Sequence, residues 1–284
     1  MATTMRTQSK MVLGYDNLAT AAAITAVTLT NCSAASGSAA ANLEVEDPSL
    51  PLVTTAPTAN PIITFQFSAD LPTGDVVYAF VNQNFWHNYD LLRIQTSGNG
   101  TIWSDIGEVD LKGTTTELAS LNNPDLIFRP ASDNTQLWKR FLFEKASAWP
   151  SITIGNILIL RRYELTTNPT TGQFSHTRTR DLEMQRAIGG ALHLSRGAAR
   201  AYQGADYFWT RIDETQAQRL NDIAEVHANR LVGVIAPNQA AKVLPLGMGG
   251  HMVGRIDQWR PTPSPGLTAT THLVNFSMHF QPGW

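Results

Sequence analysis

Residues 91–96, Leu91-Leu92-Arg93-Ile94-Gln95-Thr96, lead into Ser97-Gly98-Asn99-Gly100 and then Thr101-Ile102-Trp103. The stretch reads as strand, turn and strand, and it decides the fold class. Asn99-Gly100 is a strong hairpin signal because both residue types accept a positive φ. The same reading extends on either side. Residues 62–67 place Ile63, Phe65 and Phe67 on one face, the period-2 signal of a half-buried strand. Residues 76–81 form a nearly continuous apolar run, fit for a strand covered on both faces. Further strands are expected at 10–15, 137–143 and 152–160, while 121–132, with Pro124 and Pro130, reads as loop. About seven short strands without helical period indicate an antiparallel sandwich or jelly roll. Residues 33–60 are biased to Ala, Ser and Gly and then to Pro, Thr and Ala. They read as an extended connector that wraps the domain or lies against a neighbour.

Composition shifts near Tyr163, and Asn168-Pro169-Thr170-Thr171-Gly172 is a turn cluster. The expected division is a β-sandwich over 1–163 and a β-rich module with one helix over 164–284, a mainly β chain throughout. In the second module strands are expected at 191–195, 205–212, 231–235, 252–259 and 271–280. Asp213 caps a helix that runs to about residue 229, with Gln216 three residues on completing a capping-box-like pattern. Ala217, Leu220, Ile223 and Ala224 form its apolar stripe. In the last strand Val274, Phe276, Met278 and Phe280 share the face meant for burial.

The 284 residues include only 15% charged side chains, against a usual quarter. A surface covered by hydroxyls and amides is less costly to desolvate than a charged one, which favours contact with other proteins. Net charge is −2, and Arg178, Arg180 and Arg186 alternate with Asp181 and Glu183, so no basic face for nucleic acid is present. Cys32 is the only cysteine, which excludes an intramolecular disulfide and fits assembly in a reducing cytoplasm. Asp16 and Asn17 interrupt what would be the core of an export signal, and no apolar run is long enough to span a membrane.

No nucleophile elbow, phosphate loop or His-Glu-x-x-His run occurs. Gly247-Met248-Gly249-Gly250 lacks a following helix signal and reads as a tight turn. His272 and His279, seven apart, point to opposite faces of a strand, which argues against their sharing a metal with His251. Neither metal nor cofactor is expected. Asp105, Glu108 and Asp110 are local carboxylates that single out no acid and base. The binding candidates are Trp86 and His87, with Asn88 and Tyr89 beside them, and Trp103. Aromatics with amides at a jelly-roll rim stack on sugar rings and bond their hydroxyls. The reading that the residue types favour is that they cap the open end of a sandwich core, since large aromatics near strand ends commonly plug cores.

Several segments together resemble a known family: Leu13-Gly14-Tyr15-Asp16-Asn17, Ala41-Asn42-Leu43, the strand at 62–67, residues 90–103 and Ile152-Thr153-Ile154-Gly155-Asn156-Ile157-Leu158-Ile159. The pattern is similar to the discoidin-like, galactose-binding-like jelly roll of tail-associated virion proteins of tailed bacteriophages. Gly189-Gly190, Tyr207-Phe208-Trp209 and the helix from Asp213 resemble the C-terminal module of such proteins. The resemblance implies a non-enzymatic structural subunit of a tail, baseplate or neck, partnered by other virion proteins and by copies of itself. The alternative is an adhesin that recognises host-surface glycan through Trp86, His87 and Trp103.

Overall fold

The computed structural model describes residues 10–47, 49–71, 76–85, 88–111, 126–130, 136–169, 175–179, 182–186, 192–196, 202–227, 230–235, 252–263 and 273–282. Two compact units emerge: Met1–Asn168 with Arg230–Val253 and Trp284, and Pro169–Asn229 with Gly254–Gly283.

The first unit begins with β1 (Val12–Asn17), β2 (Ile24–Thr30), a short 3-10 turn at Ala40–Glu44, β3 (Leu52–Val53) and β4 (Ile62–Phe67). It continues with β5 (Val76–Gln83), β6 (Leu91–Ser97), β7 (Ser104–Asp110), β8 (Leu126–Phe128), β9 (Trp138–Glu144) and β10 (Thr153–Glu164). In the second unit follow β11 (Ser175–Thr179), β12 (Leu182–Arg186), β13 (Leu192–Arg196), β14 (Tyr202–Asp213) and the helix α1 (Glu214–His227). The chain then returns to the first unit for β15 (Val232–Ile235), before β16 (Met252–Pro263) and β17 (Leu273–Pro282).

In the first unit, one sheet has the order β2-β4-β9-β6-β7 and faces a second ordered β15-β1-β10-β5-β8, with β3 added on β10. Every pairing between these strands is antiparallel. The core between the sheets takes Ile63, Phe65 and Phe67 from β4, the alternation read from the sequence, and Phe141 and Phe143 from β9. These meet Tyr78 and Phe80 of β5 and Ile157 and Ile159 of β10. Phe141 sits edge-on to Phe65, Tyr78 and Phe80, with ring centroids 5.6, 6.0 and 5.3 Å away. Such edge-to-face pairs are the arrangement that aromatic quadrupoles favour.

Residues 33–60 are a strap on this sandwich. Leu43 and Leu52 are buried in its core. The Ser38 hydroxyl donates to the Pro51 carbonyl, and the Thr54 hydroxyl accepts from the Ile152 amide.

The second face of the β5 sheet is buried as well. Val77, Ala79 and Val81 of β5 cluster with Val12, Leu158, Leu160, Ile127, Leu231 and Ile235. Within the first unit β8 and β15 are the outermost strands of the run β15-β1-β10-β5-β8 and yet touch, so this part of the sheet curls on itself. Two glycines allow this. Gly14 and Gly233 are cross-strand partners. A Cβ at Gly14 would lie 2.9 Å from Leu160 Cδ1 and 3.1 Å from Leu160 Cβ; one at Gly233 would collide with Ile127 Cδ1. The space above both glycines is filled by side chains arriving from elsewhere on the sheet.

Two sequence expectations change, and one strand appears where none was expected. Leu126–Phe128, within a stretch read as loop, is a strand because β5 supplies its partners, Tyr78 opposite Phe128. Ile24–Thr30, where no strand was expected, is one: β4 pairs along it, and Val27 and Leu29 pack half-buried against the core after a register shift near Ala26. The second hairpin strand starts at Ser104 rather than Thr101. Of Asn99 and Gly100 only Gly100 has a positive φ, +74°. The Asn99 side-chain oxygen instead accepts the amides of Thr101 and Ile102, both at 2.9 Å, so these residues are held in the loop.

The second unit has a sheet ordered β11-β14-β17-β16 and a separate hairpin of β12 and β13. The Gln216 amide donates to Asp213 Oδ1 at 2.8 Å, the helix cap expected from the sequence. Ala217, Leu220, Ile223 and Ala224 are buried, and α1 packs on β14 and β17. Tyr207, Trp209, Phe276 and Met278 are buried on one face of the sheet, with Trp209 and Phe276 edge-on at 5.9 Å. The strand expected at 231–235 is present as β15 but pairs with β1 in the first unit, so the residues after 163 do not form one continuous module. Among the described residues no helix is long and apolar enough to cross a membrane.

Candidate functional site

Strand β6 alternates, with Leu92 and Ile94 buried and Arg93 and Gln95 half-buried on the opposite face. Register then assembles a polar ladder on that outer face. Arg93 stands opposite Glu108 of β7, and Gln95 stands opposite both Asp105 of β7 and Arg140 of β9. The Arg93 guanidinium reaches Asp105 at 3.1 Å, Glu108 at 3.2 Å and Glu144 at 2.9 Å. Burial works against its charge, but the three carboxylates together hold its pKa above the usual guanidinium value. The Gln95 amide donates to Asp105, and its oxygen accepts from Arg140 Nε. Burial pulls the Arg140 pKa down, opposed by Asp105.

The ladder ends on an aromatic ring. The Arg140 guanidinium carbon lies 4.2 Å from the centre of the Trp103 ring, a cation–π contact. Trp103 is half-buried in the β6–β7 loop, next to Ile102, which is 74% exposed. Trp138 lies beneath the loop, its ring carbons 3.1–3.3 Å from where a Cβ on Gly100 would stand. A fixed ring plane thus borders a row of guanidinium, amide and carboxylate groups. The carboxylates keep acceptor capacity beyond their ion pairs, and the row can bond hydroxyls in either sense.

Of the three binding residues expected from sequence, Trp103 belongs to this site. Trp86 and His87 lie outside the described residues, as do the Gly247–Gly250 run, His251 and His272. Asn88, Tyr89 and Asp90, the described residues that follow Trp86 and His87, lie just before the Leu91 end of β6. Asp90 donates its amide to the Glu144 carbonyl there, whereas Trp103 follows the Ser97 end. The strand is seven residues long, so its two ends lie roughly 20 Å apart. Tyr89 takes the core-capping role: its ring packs at 5.9 Å from Phe143, and its hydroxyl donates to the Pro150 carbonyl at 2.6 Å. Sequence reading missed Gln95 and Arg140, which lie 45 residues apart and meet only through β6–β9 pairing. It left Asp105 and Glu108 as local turn carboxylates; both are partners of Arg93.

No family model matches the chain, and no curated protein matches it. Solved structures do resemble it. The C-terminal domain of a chitobiase from Bacteroides fragilis matches at 14% identity and a TM-score of 0.39, over 53% of this chain and 100% of that domain. A family 32 carbohydrate-binding module, CBM32-3, from a family 31 glycoside hydrolase of Clostridium perfringens matches at 13% identity and a TM-score of 0.38, over 49% and 90%. A pectin-binding carbohydrate-binding module matches at 18% identity and a TM-score of 0.34, over 49% and 91%. The sandwich assignment itself rests on the strand pairing above.

Proposed function

We propose that the chain is a non-catalytic carbohydrate-binding protein that engages glycan at the Trp103 end of the polar ladder. The observation that carries the reading is the half-exposed Trp103 ring, fixed by Arg140 and continued by Gln95, Asp105 and Arg93 across three strands. A sugar offers one apolar ring face and several hydroxyls, and this surface offers an indole edge beside donors and acceptors held in place before any ligand arrives. Such preorganisation reduces the ordering cost of binding. Immobilised glycans probed with the full chain test the proposal. Retention of a glycan class, lost about tenfold or more in Trp103→Ala and in Arg140→Gln at unchanged thermal stability, is the expected result. Retention that is indifferent to both changes overturns it.

The assembly reading, a bacteriophage tail, baseplate or neck subunit docking on virion proteins and on its own copies, is favoured by a different observation. Val45 and Leu50 on the strap are 48% and 51% exposed, in a chain of sparse charge. It requires concentration-dependent association in sedimentation that Val45→Asp with Leu50→Asp abolishes; a monomer at every concentration removes it.

A further inference from the structure

The outer face of the second unit's sheet carries a trough that the Trp103 site does not use. Phe208 of β14 stands opposite Ser277 of β17, and Ser277 stands opposite Arg260 of β16. These three form one cross-strand row with a small hydroxyl residue in the middle. Phe208, 38% exposed, and the exposed Arg260 are therefore walls two strand spacings apart, about 10 Å, over a floor at Ser277. The next row adds Gln258. A register shift between Ile256 and Gln258 turns Asp257 outward beside it, so both are exposed in succession. The open cavity above these residues measures about 610 Å³. Among the described residues Arg260 makes no ion pair or ring contact, and Phe208 packs against no other ring, so both walls face the cavity unengaged.

We infer that this trough is a second binding site and that its ligand is a saccharide bearing a carboxylate. An aromatic wall takes the C–H face of a sugar ring. An unpaired planar guanidinium across from it takes a carboxylate through two parallel hydrogen bonds, the pairing in which arginine is most selective. Ser277, Gln258 and Asp257 bond hydroxyls along the floor and at one end. The arrangement differs from the first site, where each arginine is already engaged by a carboxylate or an amide and neutral hydroxyls are the better match.

The inference rests on residues separate from those behind the glycan-binding proposal, and the experiment keeps the two apart. The full chain is titrated calorimetrically with trigalacturonate and with neutral galactotriose. In the Trp103→Ala background, which removes the first site, trigalacturonate is expected to bind, and the neutral trimer to bind at least tenfold more weakly. Arg260→Gln is expected to remove that preference, and Ser277→Phe, which fills the trough, to abolish acidic-sugar binding; Trp103→Ala leaves it intact. All three positions are at least partly exposed, and unchanged thermal unfolding confirms that the variants fold. Equal binding of the two trimers in the Trp103→Ala background, no binding of trigalacturonate, or a loss confined to Trp103→Ala each overturns the second site. The last of these would leave the Trp103 proposal standing.

Discussion

The sheet β15-β1-β10-β5-β8 buries apolar side chains on both faces, and it fills the two faces differently. Toward the five-stranded sheet the filling mixes aliphatic side chains such as Ile63, Ile157 and Ile159 with rings: Tyr78 and Phe80 interlock with Phe85 and Phe141, and Phe141 with Phe65. On the curled face the cluster is Val12, Val77, Ala79, Val81, Leu158 and Leu160, with Gly14 and Gly233 beneath. Two packed sheets stand about 10 Å apart, a gap that rings span. A sheet rolled against itself closes its concave face more tightly, and only aliphatic side chains and glycines fit. The contrast teaches that β5 is apolar at every step from Val76 to Val81 because each face has its own core.

The largest effect that could break this contrast is at Phe141, where three edge-on rings meet. Phe141→Ala should destabilise the chain by about 3–5 kcal/mol, and Phe141→Leu by clearly less, measured by denaturant unfolding. A loss below about 1 kcal/mol would show that the rings are not the sandwich's principal filling.

Next comes the charge that the aromatic core tolerates. Lys139 of β9 is fully buried on the core side, its amine donating to the Thr96 hydroxyl at 2.9 Å. Burial lowers its pKa to about 8 from 10.5, with Asp70 opposing the shift. Between those values the unfolded chain binds more protons than the folded one, so stability rises with pH across that window, by about 3 kcal/mol in all. Lys139→Met should flatten that rise. An unchanged slope would mean that the amine is solvated.

The glycines give the smaller effects, and they divide in an informative way. Gly14→Ala meets Leu160 Cβ and, at 3.4 Å, Val77 Cβ, atoms tied to the backbone, and should cost about 1–3 kcal/mol. Gly233→Ala meets the tip of Ile127, which can turn aside, and should cost less. Ile127→Val removes that tip and should recover part of the Gly233→Ala loss in a double-mutant cycle. Purely additive losses would mean that β8 and β15 do not press together in solution.

Much of the fold was legible from local pattern. The alternation of Ile63, Phe65 and Phe67 gave β4 and its inner face, and the Asp213 cap with its apolar stripe gave α1. The candidate site was legible only at Trp103, since an aromatic in a turn announces itself and its partners do not. Gln95 and Arg140 look like ordinary outward polar residues until β6 and β9 pair, and Ser277 is unremarkable until Phe208 and Arg260 flank it.

By itself the sequence determined the longer strands such as β4, β5, β9 and β10, the face that β4 buries and where the helix starts, because periodicity and capping act over a few neighbouring residues. Only the tertiary structure decided that β15 joins β1, that Leu126–Phe128 extends the sheet, and that the sheet curls over Gly14 and Gly233. Those outcomes depend on hydrogen-bond partners and side-chain volumes that arrive from distant parts of the chain. No local pattern encodes which strand edge will be free to receive them.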